Sequence, residues 1–416
     1  MAAIFKSSIL WAAFLVIAGA GLTGARAEDR ARDAICALLA TGRPVLEPFI
    51  SDRFRGSTSD PAIDCMMWQS FIYLNWPVDR RNPGKPDAKA RFGGPGPTVW
   101  ESFKRYDQVF RPHAMPPRPW GAESPLPRHL ETAHQADGKV LIDQAGQPVY
   151  YEMALDEDEF NYITHYRLYD ADAQLAFAAK YGIELPHSLD EHYGRLGAIE
   201  VKAAWKILTR QELEAHPSRF HTAPAILKDG SKVVVGLVGL HLYQRFADFR
   251  QGVWASFAQI DNVPSQREEN SGPYSFFDPG CHECRVNTEV KAPTPTQVAE
   301  MFPVVSVVAA INDYMRDTIR DADPQSPWQF YRMIGAQWPK TSMMIGTPGQ
   351  LAPLPEGNPS TSTLTNPVIE TFEQGAEVSC IGCHTKAATA KTSAAGPLAT
   401  NYSFLFAHAQ SANHQP

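Results

Sequence analysis

Two cysteines and a histidine near the carboxyl end are the residues with the clearest chemical potential. Cys380, Cys383 and His384 follow the C-x-x-C-H spacing through which haem c is attached to protein. Cysteines three apart on a helical turn face the same side, so each can form a thioether with a haem vinyl group. His384 then supplies a nitrogen to the iron. Chance placement would give about 0.003 such motifs at this composition, so we predict one covalent haem c per chain.

The other axial position of the iron has two main candidates. His241 ends a run of Val, Leu and Gly residues, where a buried imidazole needs a partner. It is either a hydrogen-bonded core histidine or a sixth iron ligand or acid–base group. Met344 lies in a loop rich in Ser, Thr, Gly and Pro upstream of the motif, from which its thioether could reach the iron. The sequence leaves His241 and Met344 as the main alternatives, with Met343, His282 and His408 as further candidates.

A carboxylate and an amine alternate with apolar residues on a predicted strand. Because successive side chains of a strand point to opposite faces, Glu200 and Lys202 share one face. That face is either solvated, with an ion pair between the two residues, or it lines a cavity on the haem side. In the second case Glu200, Lys202 and His241 are candidate catalytic residues that move protons or bind a polar substrate.

Four further cysteines remain to be explained. Cys281 and Cys284 form a second C-x-x-C, but Arg285 follows it in place of histidine, so it is not a haem site. A zinc centre that also used the haem-motif thiols is disfavoured, because roughly 95 residues separate the pairs where zinc ribbons use about 15 to 20. The four cysteines allow three pairings; we favour Cys36 with Cys65 and Cys281 with Cys284.

Residues 1–27 have the composition of a secretory signal. Lys6 precedes an apolar stretch over residues 9–20, and Ala25-Arg26-Ala27 fits the small-x-small rule, so we expect cleavage after Ala27. An uncleaved anchor is the alternative, although the stretch is shorter than the roughly 20 residues that span a bilayer. Cleavage takes the net charge from -7 to -9. Since haem c is attached outside the cytoplasm, we predict a periplasmic protein with no membrane span after signal removal.

Composition limits the remaining classes of function. With 44% hydrophobic and 20% charged residues, the chain is that of a folded globular protein. Its negative net charge of -7 argues against nucleic acid as a partner. The 34 prolines and 28 glycines predict long, ordered loops.

The elements that must position these residues follow from apolar periodicity and turn residues. The middle of the chain predicts four antiparallel strands, at residues 197–208, 220–227, 232–244 and 252–260. A hairpin is predicted over residues 139–155. The prolines in residues 77–127 predict an irregular segment with at most one helix near residues 99–109. Cap and Pro signals predict helices at residues 33–39, 60–76, 171–181, 296–320, 326–337 and 366–375.

These elements define an α+β protein with a central antiparallel sheet flanked by helices. We expect a scaffold domain over residues 28–365 and a short, helical haem c segment over residues 366–416 that packs on it.

Several strings carry a resemblance to a known group. Together with the haem motif they resemble large bacterial periplasmic cytochrome c family proteins, from about residue 65 to residue 405: Trp68–Pro77, Ile199–Lys206, Gly236–His241, Trp254–Phe257, Asp261–Val263 and Gln337–Pro339. The resemblance implies one covalent haem on Cys380, Cys383 and His384. The chain is much longer than the small soluble cytochromes c, which carry the motif near the N-terminus, so their fold and Met ligand are not transferred.

The sequence thus predicts a periplasmic monohaem c-type cytochrome that transfers electrons to or from a periplasmic redox partner protein as part of an oxidoreductase system. A bare electron carrier needs only about 100 residues, so two alternatives stay open. One is a peroxidase- or oxidase-like haem enzyme with an open sixth iron position. The other is a haem-based sensor or scaffold. The sequence does not specify the substrate, the reduction potential or the oligomeric state.

Overall fold

Apolar strands from the middle of the chain build a mixed sheet, and helices pack on it, which confirms the predicted α+β class. The computed structural model describes residues 46–48, 50, 60–122, 127–264, 273–339, 363–392 and 396–412. The predicted signal segment, the predicted helix at residues 33–39 and Met344 lie outside these residues. None of the described helices combines the length and the apolar character needed to cross a bilayer.

Seven α-helices and eight strands are assigned within the described residues. The helices are α1 (Asp60–Leu74), α2 (Tyr106–Val109), α3 (Glu157–His165), α4 (Ala171–Tyr181), α5 (Arg210–Ala215), α6 (Ser306–Ala322) and α7 (Cys380–His384). The strands are β1 (Lys104–Arg105), β2 (Arg128–Leu130), β3 (Tyr150–Leu155), β4 (Ile199–Ile207), β5 (Thr222–Leu227), β6 (Lys232–Phe246), β7 (Phe249–Gln259) and β8 (Tyr331–Gln337).

The long strand β6 is the centre of the sheet. One edge of β6 pairs with β4, and the other edge pairs first with β5 and then with β7. The full order is β1-β3-β4-β6-β5-β2, and β7 joins β6 to β8. All four predicted strands are present and pair antiparallel with one another, which confirms the predicted antiparallel core. The sheet extends this core to eight strands, and one added strand, β2, pairs with β5 in parallel.

The two faces of the sheet differ in chemistry. One face packs on α1 and α6, where the rings of Phe71 and Phe257 stack 4.3 Å apart. The opposite face carries two cross-strand rows, because residues paired in antiparallel strands point to the same side. We call this the polar face, and its rows are Lys202–His241–Ser256 and Glu200–Tyr243–Trp254.

Residues 326–337 are not the predicted helix. They form a short 3-10 helix (Pro327–Phe330) followed by strand β8. The Ser-Pro cap signal is correct for the 3-10 helix, but every residue of β8 is buried and the strand pairs with the edge of β7. Pairing with an available sheet edge therefore overrides the local helical signal.

The helix predicted at residues 366–375 is also absent from the described structure, where this segment forms turns. The Asn366 side chain accepts from the Val368 N–H at 3.0 Å and donates to the Phe257 carbonyl at 2.9 Å. Such local side-chain bonds compete with helix formation. The helix predicted at residues 296–320 begins only at Ser306, after Pro303.

Other predictions are confirmed in part. Helix α4 has the predicted bounds, and α1 covers residues 60–74 of the predicted helix. The turn at residues 144–147 closes through a hydrogen bond from Asp143 N–H to the Gln147 carbonyl at 2.9 Å. The second arm of that predicted hairpin instead becomes β3, which pairs with β4. In residues 77–127 the described helices are short, as the prolines predict.

The favoured disulfide between Cys281 and Cys284 is confirmed, with Cα atoms 5.5 Å apart, within the range that a disulfide requires. Cys65 is buried in α1, and Cys36 lies outside the described residues, so their pairing stays a prediction.

A buried ionic cluster lies in the core on the α1 side of the sheet. Arg128, whose side chain is 1% exposed, donates to Glu101 at 2.9 Å and to Glu152 at 2.5 Å. His221 Nε2 lies 3.1 Å from Glu101, and Trp205 donates its indole N–H to Glu152 at 3.2 Å. Every charge in this cluster therefore faces an opposite charge or a hydrogen-bond partner, as burial requires.

Candidate functional site

Helix α7 presents the three motif residues from one turn, and two contacts fix its position. The Ser379 hydroxyl caps the helix by accepting from the Gly382 N–H at 3.2 Å. The buried Ile381 donates its N–H to Gln337 Oε1 on β8 at 2.7 Å. The sequence thus forms a single capped turn here and ties it to the edge of the sheet.

The two motif thiols are free in the described structure. Burial raises the pKa of both Cys380 and Cys383, and the nearby carboxylate of Glu370 raises it further. Both side chains are therefore neutral thiols at pH 7. Since Cys281 and Cys284 are bonded to each other, they do not join the motif thiols in a zinc centre.

The imidazole of His384 is held in one tautomer. Its Nδ1 lies 2.6 Å from the Tyr402 carbonyl oxygen, which can only accept, so Nδ1 carries the hydrogen and Nε2 keeps its lone pair. The rings of Trp254 and Phe404 lie 5.8 Å and 5.0 Å from the imidazole. Burial lowers the pKa of His384 to about 4, so the ring is neutral at pH 7. Histidines that bind metals are oriented in this way, with the second nitrogen donating to a carbonyl.

Two of the predicted catalytic residues, Lys202 and His241, lie on the polar face close to this histidine. His241 Nε2 is 3.4 Å from the carboxylate of Glu370. Burial alone would raise the pKa of Glu370, but His241 and Lys202 lower it below its usual value. The same two side chains contribute to the lowered pKa of His384, which places them within electrostatic reach of the motif.

The third predicted catalytic residue, Glu200, does not pair with Lys202 as it would on a solvated face. It contacts the carboxyl group of Glu159 from α3 and the hydroxyl of Ser403. Burial raises the pKa of Glu200 to about 7. Burial, and to a smaller extent the charge of Glu200, raises the pKa of Glu159 well above its usual value. Glu200 is thus part of a buried carboxyl pair, and not of an ion pair with Lys202.

A cavity of about 680 Å³ adjoins the outer side of α7. Gly382 and Cys383 line it, together with residues 371–375, residues 377–379 and Met301. Its volume lies in the range of cofactor and ligand pockets, roughly 300 to 1,000 Å³. The residues just before α7 therefore leave room beside a motif thiol.

Sequence patterns alone did not identify several residues of this site. Glu159 and Glu370 carry no motif, and only the fold brings them to the polar face. Trp254 was visible as part of an apolar strand, but its approach to His384 depends on the strand register. Tyr402 contributes a backbone carbonyl, which no residue type reveals.

The chain matches no known protein-family profile, no curated protein sequence and no solved structure. Among the described residues, no group of three or more His, Cys, Asp and Glu side chains is arranged to hold a metal ion by itself. The interpretation of the site therefore rests on its own geometry.

Proposed function

We propose that this protein is a periplasmic monohaem c-type cytochrome that transfers electrons to or from a redox partner protein. Cys380 and Cys383 would hold the haem through thioethers, and His384 would supply the axial nitrogen. The observation that carries the proposal is the 2.6 Å contact between His384 Nδ1 and the Tyr402 carbonyl. It leaves Nε2 as a neutral, fixed donor beside two free thiols on the same helical turn.

The bound haem would supply a one-electron iron couple, and the residues around it have supporting roles. The rings of Trp254 and Phe404 lie against the His384 ring and would help to hold it in place. Ser379 and Ile381 hold the helix in place. The cavity beside Cys383 leaves that thiol accessible for attachment, although Cys380 and His384 are not among its lining residues.

A haem enzyme is the second candidate, and the polar face favours it. Lys202, His241 and Glu370 place an amine, an imidazole and a carboxylate near the proposed iron ligand. Such groups can hold or move protons at a substrate, which an electron carrier does not need. If the protein is a haem enzyme, His241 is an acid–base group. If it is an electron carrier, His241 is a candidate sixth ligand, as is Met344.

Optical spectra of the protein matured in a haem c-producing host separate these functions. Six-coordinate low-spin iron that cycles reversibly between two redox states and does not bind cyanide or carbon monoxide supports electron transfer. High-spin iron that binds them supports the enzyme. The His241→Ala variant then shows whether this imidazole reaches the iron, because loss of a sixth ligand converts the spectrum to the high-spin form.

The His384→Ala variant tests the axial assignment. His134 offers a matched control, since its Nδ1 also lies near a backbone carbonyl, that of Gly138 at 2.8 Å, but in an exposed turn. The proposal requires that His384→Ala changes the spectrum and His134→Ala does not. Unchanged spectra in both variants would refute it.

A further inference from the structure

We propose that Glu159 and Glu200 form a redox-linked proton site, which binds a proton more tightly when the attached haem is reduced and releases it when the haem is oxidised. The inference rests on the proposed haem c function and adds a proton-binding role that electron transfer alone does not require.

The first support is the geometry of the pair. Glu159 is fully buried, and neither of its carboxyl oxygens has a hydrogen-bond donor among the described residues. Glu200 reaches it from β4, and its Oε1 is inaccessible to solvent and equally without a donor there. Two ionised carboxylates can only accept hydrogen bonds, so contact between them requires a shared proton.

The second support is the charge around the pair. The titratable groups that face it are Asp156 at the start of α3 and Tyr243 on β6, and Tyr402 lies beyond Tyr243. Each of these groups is neutral or negative. Arg245 acts on Tyr243 rather than on the carboxyl pair. If both carboxyl groups of the pair were ionised, no described cation would compensate the second negative charge. Burial therefore keeps the pKa of Glu159 well above its usual value and the pKa of Glu200 at about 7.

The third support is the connection to the iron ligand. The Ser403 hydroxyl donates to Glu200, and the carbonyl of the preceding residue, Tyr402, accepts from His384 Nδ1. The rings of Tyr243 and Trp254 lie 5.0 Å apart, and Trp254 lies 5.8 Å from the His384 ring. These contacts connect the pair to His384, and we expect a charge on the pair to act on the histidine through them.

The direction of the coupling follows from electrostatics. A negative pair favours the more positive, oxidised site, and by reciprocity reduction raises the affinity of the pair for a proton. When an electron-donor protein supplies one electron, one proton from solvent forms an O–H bond on the carboxylate pair. That proton leaves a hydronium ion, whose O–H bond breaks to release water, and oxidation reverses both transfers.

Potentiometric titration of the haem-loaded protein between about pH 5.5 and 8.5 tests the inference. We expect the midpoint potential to fall as the pH rises through about 7. In the Glu159→Gln/Glu200→Gln double variant we expect this pH dependence to be lost. Ser403→Ala, which removes the hydroxyl link, should reduce its amplitude. Glu157→Gln is the matched control, because Glu157 lies on the same helix with a side chain that is 34% exposed, and it should keep the wild-type profile.

The outcomes are distinguishable. A potential that is independent of pH in the wild-type protein, or a slope that persists in the double variant, overturns the redox link while leaving haem attachment intact. A chain that takes up no haem fails the proposed function itself, and the redox link fails with it. Infrared titration of the carboxyl stretch, lost only in the double variant, reports on the shared proton independently of the haem.

Discussion

Substitution of Glu101 by glutamine tests whether the buried ionic cluster is structural and separate from the polar face. Glu101 accepts from Arg128 at 2.9 Å and from the Thr98 N–H at 2.7 Å, and it lies 3.1 Å from His221. The glutamine keeps one acceptor but removes the charge, so two charge-assisted contacts worth about 1.5 to 3 kcal/mol each are weakened. Arg128 keeps its second partner, Glu152. The loss of stability should therefore be smaller than the cost of leaving a buried charge without any partner, about 3 to 5 kcal/mol.

We therefore expect Glu101→Gln to lower the free energy of unfolding by about 2 to 4 kcal/mol. Guanidinium titration followed by far-UV circular dichroism measures the change. The matched control is Glu214→Gln, whose partner Arg210 has a side chain that is 91% exposed, and it should cost no more than about 0.5 kcal/mol. A loss below about 1 kcal/mol in Glu101→Gln would show that the cluster does not stabilise the core in the way described.

Three further predictions concern pH, backbone conformation and helix capping. Although burial would raise the pKa of Glu101, His221 and Arg128 lower that pKa to about 2. The stabilisation from the Glu101 carboxylate is therefore complete above pH 4.5 and is lost as the pH falls from 4.5 to 2. Acid titration of the free energy of unfolding should show this loss, with a shallower slope in Glu101→Gln. Gly252 has φ +83°, and an added Cβ would lie 2.0 Å from the Tyr243 ring, so Gly252→Ala should cost more than about 2 kcal/mol in a thermal melt. Ser379→Ala removes the α7 cap and should cost about 1 kcal/mol in the same denaturation assay, whereas Ser379→Asp should retain most of the stability.

The strands at the centre of the sheet were predictable because their signal is local. Long Val- and Leu-rich runs such as β6 are buried on both faces, and a tight turn separates β5 from β6. Strand β8 was not predictable, because its pairing partner β7 is more than 70 residues away in sequence. The turn at Asn366 likewise depends on contacts with β7, which lies more than 100 residues upstream.

The motif residues of the candidate site were predictable from spacing, and strand alternation correctly placed Glu200 and Lys202 on one face. Which groups oppose that face was not predictable. Glu159 reaches Glu200 only because α3 packs beside β4, and Glu370 reaches His241 only because residues 366–375 form turns. Tertiary contacts between distant segments therefore decide the electrostatics of the site.

Haem attachment is tested most directly by the intact mass and Soret absorbance of the protein matured in a haem c-producing host. We expect a mass increased by one haem per chain, retained after denaturation, and a Soret band. Both should be lost in the Cys380→Ala/Cys383→Ala double variant and kept when Cys281 and Cys284 are replaced by serine. A wild-type mass without the haem increment, together with no Soret absorbance, would show that the chain does not bind haem covalently.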